Sequence, residues 1–377
     1  MISWENNKRK SLFRRIIKFV FLSLYFLLML LLLLSLLSKF IPADTFYIPS
    51  LLSLTFPFLF LLFVLFTLLV IYRKYYISLI IAFPVLIWSV VVINRYVDLS
   101  CLFFSSKCEV DSSIKVMTFN VRLFDRYNWK GGFEKHEQIL NFIINQQPDI
   151  ACFQEYYYQS DGKYPTTVPI LKGLQTSYIH EHYTVVNNNR DYFGIATITK
   201  FPIIKKGIIS FKKTSNICIY SDVVIYSDTV RVFNLHLESV RLGVEDYAFI
   251  STVEQKPDSA EYNKTLPILK RLIRSAKKRS VQAAIVADSI LYSPYPVIVC
   301  GDFNDVPASY TYSKISKGLA DSYSQCDFSL GTTYNGKIPF IRIDYILHSP
   351  AFSSCNYKIH KVDLSDHYPV SVQLYKN

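Results

Sequence analysis

The first 95 residues of the chain are almost continuously apolar, whereas the remainder alternates between apolar and polar positions. Three long apolar runs cover about residues 16–37, 48–71 and 77–94. Each run is close to the ~20 residues that an α-helix needs to cross a bilayer, and none has the polar face of a helix in a soluble protein. The first run is also too long for the apolar core of a secretory signal peptide. The pattern therefore predicts three transmembrane helices in a membrane anchor over residues 1–95.

Lys and Arg residues predict the orientation of this anchor. Residues 1–100 hold 10 Lys and Arg against 3 Asp and Glu, a net +7, and the rest hold 31 against 26, a net +5. The basic residues precede the first run, and Arg73-Lys74 separates the second from the third. Because basic loops stay in the cytoplasm, the N-terminus is predicted to be cytoplasmic and everything after Arg95 extracytoplasmic. The small surplus beyond residue 100 argues against a dedicated nucleic-acid surface.

Beyond the anchor, the pattern predicts a linker over residues 96–112 and one domain of mixed strands and helices over 113–377. Residues 230–238 alternate as a half-buried strand, and residues 297–300 form the short apolar run of a fully buried strand. Residues 266–289 carry apolar side chains at helical spacing, and Lys and Arg residues cover the other faces. This predicts an amphipathic helix with a solvated basic surface.

Polar side chains recur where the predicted strands end or in the turns that flank them. The set consists of Asn120, Glu155, His236, Asp302, Asn304, Asp344, Asp366 and His367. The densest group, Gly301-Asp302-Phe303-Asn304-Asp305, follows the buried strand over 297–300 directly. Ligands of layered α/β folds bind at the carboxyl ends of strands. We therefore expect these side chains to meet in one site.

The residue types in this set indicate metal-assisted chemistry on a charged group. Carboxylates with an amide suit a hard divalent ion such as Mg²⁺, while two imidazoles and a spare carboxylate suit acid–base work and stabilisation of a phosphoryl group. The chain has no Gly-rich phosphate loop and no Gly-x-Ser-x-Gly elbow. Its seven cysteines include no C-x-x-C pair, and no Cys/His cluster has zinc spacing. Cys101 and Cys108 could pair in an oxidising compartment.

Six short motifs in the second part of the chain resemble those of the endonuclease/exonuclease/phosphatase superfamily, the deoxyribonuclease-I-like fold. In chain order they are Thr118-Phe119-Asn120, Gln154-Glu155, Asn234-Leu235-His236-Leu237, Gly301-Asp302-Phe303-Asn304, Arg342-Ile343-Asp344-Tyr345 and Ser365-Asp366-His367. The resemblance covers about residues 114–376, and the ordered set is far more specific than any one motif. It implies a four-layered α/β sandwich and metal-dependent hydrolysis of a phosphoester.

The resemblance also implies a metal site. Glu155 looks like the main ligand of Mg²⁺, with Mn²⁺ as a possible substitute. Asn120 lies beside it in this interpretation, and Asp366 assists the metal or the surrounding hydrogen-bond network.

Catalytic roles follow from the same resemblance. Asp302 would orient or deprotonate the attacking water, and Asn304 would hold Asp302 or the phosphate. His236 would contact the phosphoryl oxygens. Asp344 would orient His367, which would serve the transition state as an acid or hydrogen-bond donor. The sequence leaves open which group is the general base.

The interpretation that combines these features is an integral membrane protein with an extracytoplasmic, divalent-metal-dependent phosphoester hydrolase domain. Its substrate is left open between a phospholipid, a small phosphate ester and a nucleic acid. One alternative is a nuclease acting on DNA or RNA outside the cytoplasm. Another is a catalytically silent binding domain tethered to the membrane, which the intact set of site residues disfavours. A transporter-like protein is disfavoured because the apolar runs contain no charged residue beyond Lys18, at the start of the first run.

Overall fold

The computed structural model describes residues 2–97, 113–127, 131–240, 262–323, 331–336, 338 and 340–377, with the backbone alone for 2–10 and 262–264. The proposed pairing of Cys101 with Cys108 lies outside the described residues. So does the predicted linker, apart from Tyr96 and Val97.

Four helices form the N-terminal part of the chain. They are α1 (Ile2–Leu37), α2 (Ile48–Leu54), α3 (Phe56–Tyr72) and α4 (Tyr76–Ile93). Two of them, over Ser11–Phe40 and Tyr76–Ile93, are long and apolar enough to cross a membrane. Pro84 lies inside α4 without breaking it, as membrane helices tolerate.

The second predicted span, over residues 48–71, is not one continuous helix. It divides into α2 and α3, which are bent by 77° with respect to each other. Thr55 between them has non-helical dihedral angles, and Pro57 lies in the first turn of α3. Proline has no N–H and its ring collides with the preceding turn, so a helix that begins with Pro57 cannot continue from α2. The prediction of three transmembrane helices is therefore supported only in part. The described residues contain two such helices, or three if the bent pair counts as one.

Apolar contacts hold these helices together, yet much of their outer surface is also apolar. The buried positions are Tyr25, Leu28, Leu32 and Leu36 on α1, Phe56, Phe63 and Val70 on α3, and Ala82, Val85 and Val92 on α4. The Tyr25 hydroxyl also lies 3.2 Å from Thr67 Oγ1. On the outer side, Ile77 and Ile80 are 78% and 73% exposed. An apolar outer face of this extent points to association with a membrane.

The rest of the described chain contains two six-stranded mixed sheets. The strands are β1 (Ile114–Asn120), β2 (Ile150–Gln159), β3 (Tyr178–Asn187), β4 (Asp191–Thr199), β5 (Ile203–Ser210), β6 (Ile217–Ile225), β7 (Asp228–His236), β8 (Val297–Asp302), β9 (Ala320–Asp321), β10 (Asp344–His348), β11 (Phe352–Ile359) and β12 (Val370–Lys376). One sheet has the order β11-β12-β1-β2-β4-β3 and the other β5-β6-β7-β8-β10-β9. The helices are α5 (Phe133–Gln146), α6 (Thr167–Gly173), α7 (Tyr262–Leu291) and α8 (Tyr310–Ile315).

The two sheets pack face to face, and helices cover both outer faces. The layer between the sheets is filled by apolar side chains that include Val116, Cys152, Val232, Ile298 and Ile346. Ile139 and Ile143 of α5 pack on the first sheet, while Ala283 and Val286 of α7 pack on the second. The resulting helix–sheet–sheet–helix arrangement is the predicted four-layered α/β sandwich.

The N-terminal helices are attached to the sandwich through the residues that follow α4. The Arg95 carbonyl accepts a hydrogen bond from Arg342 Nη1 at 3.0 Å. The Tyr96 carbonyl accepts from the Tyr323 hydroxyl at 2.9 Å, and the buried Tyr96 hydroxyl accepts from the Ala308 amide at 3.2 Å. These contacts fix the position of the sandwich relative to the end of α4.

Candidate active site

The strand topology brings the ends of β1, β2, β7 and β8 to one edge of the sandwich. β1 runs parallel to β2, and β7 runs parallel to β8. Asn120, His236 and Asp302 are the last residues of β1, β7 and β8. β10 runs antiparallel to β8, so its first residue, Asp344, pairs directly with Asp302. The predicted strand-end residues therefore do meet at one edge.

Glu155 occupies a different backbone position from the one the sequence predicted. The strand does not end at Gln154-Glu155 but continues as β2 to Gln159. The register of β2 against β4 shifts between Phe153 and Tyr156, and Glu155 adopts a φ of +50° at this bulge. A bulge bends the strand and redirects one side chain, and such strained positions gather at functional sites. The bulge leaves the Glu155 side chain 35% exposed at the open edge.

Asp302 lies at the centre of the site and is almost fully buried. Its Oδ2 accepts hydrogen bonds from Asn120 Nδ2 at 3.1 Å and Asn304 Nδ2 at 3.0 Å, and its Oδ1 accepts from the Asn304 amide at 2.8 Å. Burial raises the pKa of Asp302 to about 6, with the charge of Asp344 adding to the effect and that of His367 opposing it. A carboxylate with a pKa this close to neutrality is suited to accept a proton from water.

Close packing of the backbone keeps Asp302 in place. Gly301 has a φ of +145°, and a Cβ there would lie 2.0 Å from the Leu235 carbonyl oxygen of β7. Only glycine fits this approach, because any side chain would push β8 away from β7.

His367 and Asp344 form a buried pair beside Asp302. His367 Nδ1 lies 3.1 and 3.0 Å from the two carboxylate oxygens of Asp344, and its Nε2 lies 3.8 Å from Asp302 Oδ2. Burial lowers the pKa of His367, but the charges of Asp344 and Asp302 outweigh it and raise the pKa well above its usual value. The two carboxylates therefore favour the charged form of His367, in which Nδ1–H donates to Asp344 and Nε2–H is on the side of Asp302.

Glu155, His236 and Asp366 lie around the open side of the site. His236 Nε2 is 3.9 Å from Glu155 Oε1 and 3.7 Å from Asp302 Oδ2. Burial and the charge of Asp366 raise the pKa of Glu155. A cavity of about 260 Å³ opens here, and Leu123, Glu155 and His236 are among its lining residues. The site therefore has room for a small charged group beside these side chains.

Two groups of residues can be considered as a metal site. Asp302, Asp344 and His367 place ligand atoms within 4.8 Å of one another. However, the short contacts of His367 Nδ1 with Asp344 and the raised pKa of the imidazole favour a hydrogen-bonded pair over metal ligation there. Glu155 and Asp366 are two acidic groups whose repulsion a divalent cation would relieve, so this side fits the predicted magnesium site better.

Some residues of the site were not found from the sequence. Arg122 pairs with Asp366 at 3.4 Å, and its backbone amide donates to Asn120 Oδ1 at 3.1 Å. Its only signal in the sequence was its place two residues after Asn120. Arg122 puts a positive charge next to the candidate metal and phosphate positions.

Arg279 was predicted to lie on the solvated basic face of the long helix, and that prediction was wrong. Its side chain is 1% exposed. Its Nε lies 3.2 Å from Asp305 Oδ2, and its Nη1 donates to the Glu238 carbonyl at 2.9 Å. Arg279 therefore ties α7 to the turn that carries Asn304. Its position three residues after the apolar Ala276 was a signal that it faces inward.

Two stacked mixed sheets, with a buried carboxylate, an Asp–His pair and further acidic groups at one edge, define an α/β-sandwich phosphoesterase fold. The sequence model of the Endonuclease/Exonuclease/phosphatase family matches residues 117–367. The chain belongs to this family, whose members hydrolyse phosphoesters and typically depend on a divalent metal.

One solved structure shows the same fold at a TM-score above 0.5. An endonuclease/exonuclease/phosphatase from Beutenbergia cavernae DSM 12333 is similar with a TM-score of 0.51 and 19% identity, over 70% of this chain and 72% of that chain. A mannosyl-6-phosphatase from Bacteroides thetaiotaomicron VPI-5482 gives a TM-score of 0.48 and 19% identity, over 70% of this chain and 100% of that chain. A search among curated proteins found no match. At these identities the likeness concerns the fold alone.

Proposed function

We propose that this protein is a membrane-anchored, divalent-metal-dependent phosphoester hydrolase with its active site outside the cytoplasm. The observation that carries the proposal is the set of polar groups around the buried Asp302 carboxylate. Three hydrogen bonds from Asn120 and Asn304 orient this carboxylate, and the Asp344–His367 pair lies beside it. Asp302 therefore offers a proton acceptor for water, and His367 offers a charged hydrogen-bond donor.

In the proposed reaction, Asp302 orients a water molecule and takes its proton as the water oxygen attacks phosphorus. The bond from phosphorus to the ester oxygen breaks, and the leaving alkoxide takes a proton from the charged His367 imidazole. His367 and His236 donate hydrogen bonds to the phosphoryl oxygens, where negative charge increases in the transition state. Asn304 keeps the Asp302 carboxylate in the orientation that this transfer needs. A divalent cation held by Glu155, with Asn120 and Asp366, would supply further positive charge to the phosphate.

Three features support the proposed topology. Lys18 lies 4.8 Å from the ring of Tyr75, so the basic end of α1 and the turn containing Arg73-Lys74 share one end of the helix bundle. The sandwich lies at the other end, as the positive-inside rule requires for an extracytoplasmic domain. In addition, Cys355 is disulfide-bonded, which is common in oxidising compartments and rare in the cytoplasm.

The test is an activity assay of the full-length protein in detergent or nanodiscs. Plasmid DNA, RNA, phospholipid vesicles and soluble phosphate esters are compared with Mg²⁺, with Mn²⁺ and with EDTA. Hydrolysis of at least one substrate that stops in EDTA and returns with added metal is the expected result. Undiminished hydrolysis in EDTA contradicts the proposed dependence on a metal. No hydrolysis of any substrate favours a silent binding domain.

A further inference from the structure

A second cavity lies where the N-terminal helices meet the sandwich. Its volume is about 330 Å³, at the small end of the range of roughly 300–1,000 Å³ for small-molecule sites. Its lining is almost wholly apolar and includes Pro57, Phe58, Leu61, Tyr96, Thr332 and Phe340. Arg342 also lines the cavity, but its guanidinium donates hydrogen bonds to the Arg95 carbonyl and to Asp321. The exposed lining therefore offers almost no polar surface to a sugar, a nucleotide or a cluster of water molecules.

The break between α2 and α3 creates this cavity. The 77° bend turns α2 away from the first turn of α3, and the space beside Pro57 is left unfilled by its own helix. Phe56 stacks on Tyr96 with ring centroids 5.7 Å apart, and Phe58 meets Phe340 edge to face at 6.0 Å. Aromatic pairs therefore fix both the helix side and the sandwich side of the cavity.

The cavity shares a wall with the candidate active site. Thr332 lines the cavity, and the next residue, Thr333, accepts the backbone N–H of Asp344 on its Oγ1 at 3.1 Å. Tyr334 forms a β-bridge with His367, and their rings meet edge to face at 5.6 Å. The segment over residues 332–334 thus has the apolar cavity at one end and the Asp344–His367 pair at the other.

We propose that this cavity holds the hydrocarbon tail of a membrane lipid whose phosphoester group reaches Asp302. The inference rests on the phosphoesterase function proposed above and names its substrate class. The start of α3 and the end of α4 lie at the end of the helix bundle that faces the sandwich, which is the level of the proposed bilayer surface. A tail can enter there from the bilayer, while the phosphate stays at the surface beside the site. The exposed surface of the cavity is almost wholly apolar and comes from the helices and the sandwich together, which matches a hydrocarbon chain better than a nucleic acid.

The first experiment compares esters that share a head group and differ in their tails. Full-length protein in detergent micelles is assayed on dioleoyl phosphatidic acid against glycerol 3-phosphate, and on dioleoyl phosphatidylglycerol against glycerophosphoglycerol. We expect kcat/KM for one tailed ester to exceed that for its tail-less partner by about 10-fold or more, the size of effect that a filled apolar pocket gives. Equal rates on tailed and tail-less esters would overturn the inference while leaving the phosphoesterase function intact.

Substitutions on α3 test the cavity itself. Leu61 lines the cavity and Leu62 does not, and both are exposed, at 59% and 45%. We expect Leu61→Gln to remove most of the preference for the tailed ester and to change the rate on its tail-less partner by less than about two-fold. The matched control Leu62→Gln keeps the preference. A preference that survives Leu61→Gln, or that disappears equally in both variants, contradicts tail binding in this cavity.

A cross-linking measurement is independent of turnover. A phosphatidic acid with a diazirine in its acyl chain is irradiated with the full-length protein in nanodiscs, and the labelled peptides are identified. Label on the segment around Phe340, which belongs to the sandwich, is expected in the unmodified chain and reduced in Leu61→Gln. Label confined to α1 and α4 would mean that lipid tails surround the helices without entering the cavity.

Discussion

At Asp302, burial and the charges of two histidines act on the pKa in opposite directions. Burial holds the carboxylate in a fixed position and also raises its pKa to about 6. Three hydrogen bonds and two nearby imidazoles keep the carboxylate form accessible near neutral pH. A carboxylate balanced in this way can both bind and release a proton during turnover.

Removal of this carboxylate should abolish most of the activity. Asp302→Ala is expected to lower kcat by ~10²-fold or more, the usual contribution of a positioned acid–base group. The fold should persist, because a buried charge is removed and the neutral amide groups of Asn120 and Asn304 can donate their hydrogen bonds to water instead. Asp228→Ala is the control, since Asp228 is an exposed carboxylate paired with Lys376. Comparable losses in both variants, or an unfolded Asp302→Ala protein by circular dichroism, would refute the assigned role.

The Asp344–His367 pair makes a prediction about pH. Asp344 is the main cause of the raised pKa of His367, so Asp344→Asn should lower that pKa. If the charged imidazole is the active form, activity disappears as the pH rises through the pKa. The alkaline limb of the kcat–pH profile should therefore move to lower pH in Asp344→Asn, together with a fall in kcat. A profile that keeps its alkaline limb would show that His367 does not act through its charge.

At the scale of the element, α7 is held to the site by a buried ion pair. Arg279 and Asp305 are 1% and 2% exposed, so each neutralises the other where water is absent. Arg279→Ala should lower the free energy of unfolding by about 3 kcal/mol or more, since breaking a buried pair leaves one charge unpaired. Arg274→Ala, on the exposed side of the same helix, should change it by less than about 0.5 kcal/mol. Denaturant unfolding of both variants tests this, and equal stabilities would contradict it.

The comparison of α7 with β8 shows what the sequence can predict. The apolar run over residues 297–300 and the Gly-Asp turn after it predicted both the buried strand and the position of Asp302, because alternation and turn residues are local signals. The spacing of Arg279 from Ala276 indicated its inward direction, but its partner Asp305 lies 26 positions away, and no local pattern contains that ion pair. The bulge at Glu155 likewise depends on the neighbouring strand β4. The bend at Thr55 had a local signal in Pro57, but membrane helices tolerate proline, as α4 does at Pro84. The prediction based on hydrophobicity alone therefore treated α2 and α3 as one span.

Three buried histidines in other elements predict how stability depends on pH. Burial lowers the pKa of His136, His180 and His360 to about 4 in the folded protein, against about 6.5 in an unfolded chain. Between these values the unfolded state binds more protons, so stability rises with pH and is lost as the pH falls from about 6.5 towards 4.

The contribution of one histidine can be isolated by substitution. His180 Nδ1 lies 2.9 Å from the Ser221 hydroxyl, and glutamine retains a polar partner for it. His180→Gln should lose less stability than the unmodified chain when the pH is lowered from 7 to 5, as measured by denaturant unfolding at both values. If His180→Gln loses as much stability between pH 7 and pH 5 as the unmodified chain does, His180 is not neutral in the folded state.

At the scale of the whole molecule, the proposed topology separates the basic end of the helix bundle from the sandwich. A protease added to intact spheroplasts should cleave the chain beyond Arg95 and leave the N-terminus protected. Spheroplasts opened by detergent serve as the control, in which both parts are cleaved. A sandwich that resists the protease until the membrane is opened would reverse the orientation and remove the basis for an oxidising environment around Cys355.

The hydrogen bonds that join Arg95 and Tyr96 to the sandwich have a kinetic consequence. They place the active site at a fixed height and angle above the end of α4, instead of on a loose tether. If the helices span the bilayer as proposed, a lipid substrate is found by lateral diffusion in two dimensions. The rate should then follow the mole fraction of substrate in the membrane and fall when inert lipid dilutes it, even though the total amount of substrate in the sample stays the same.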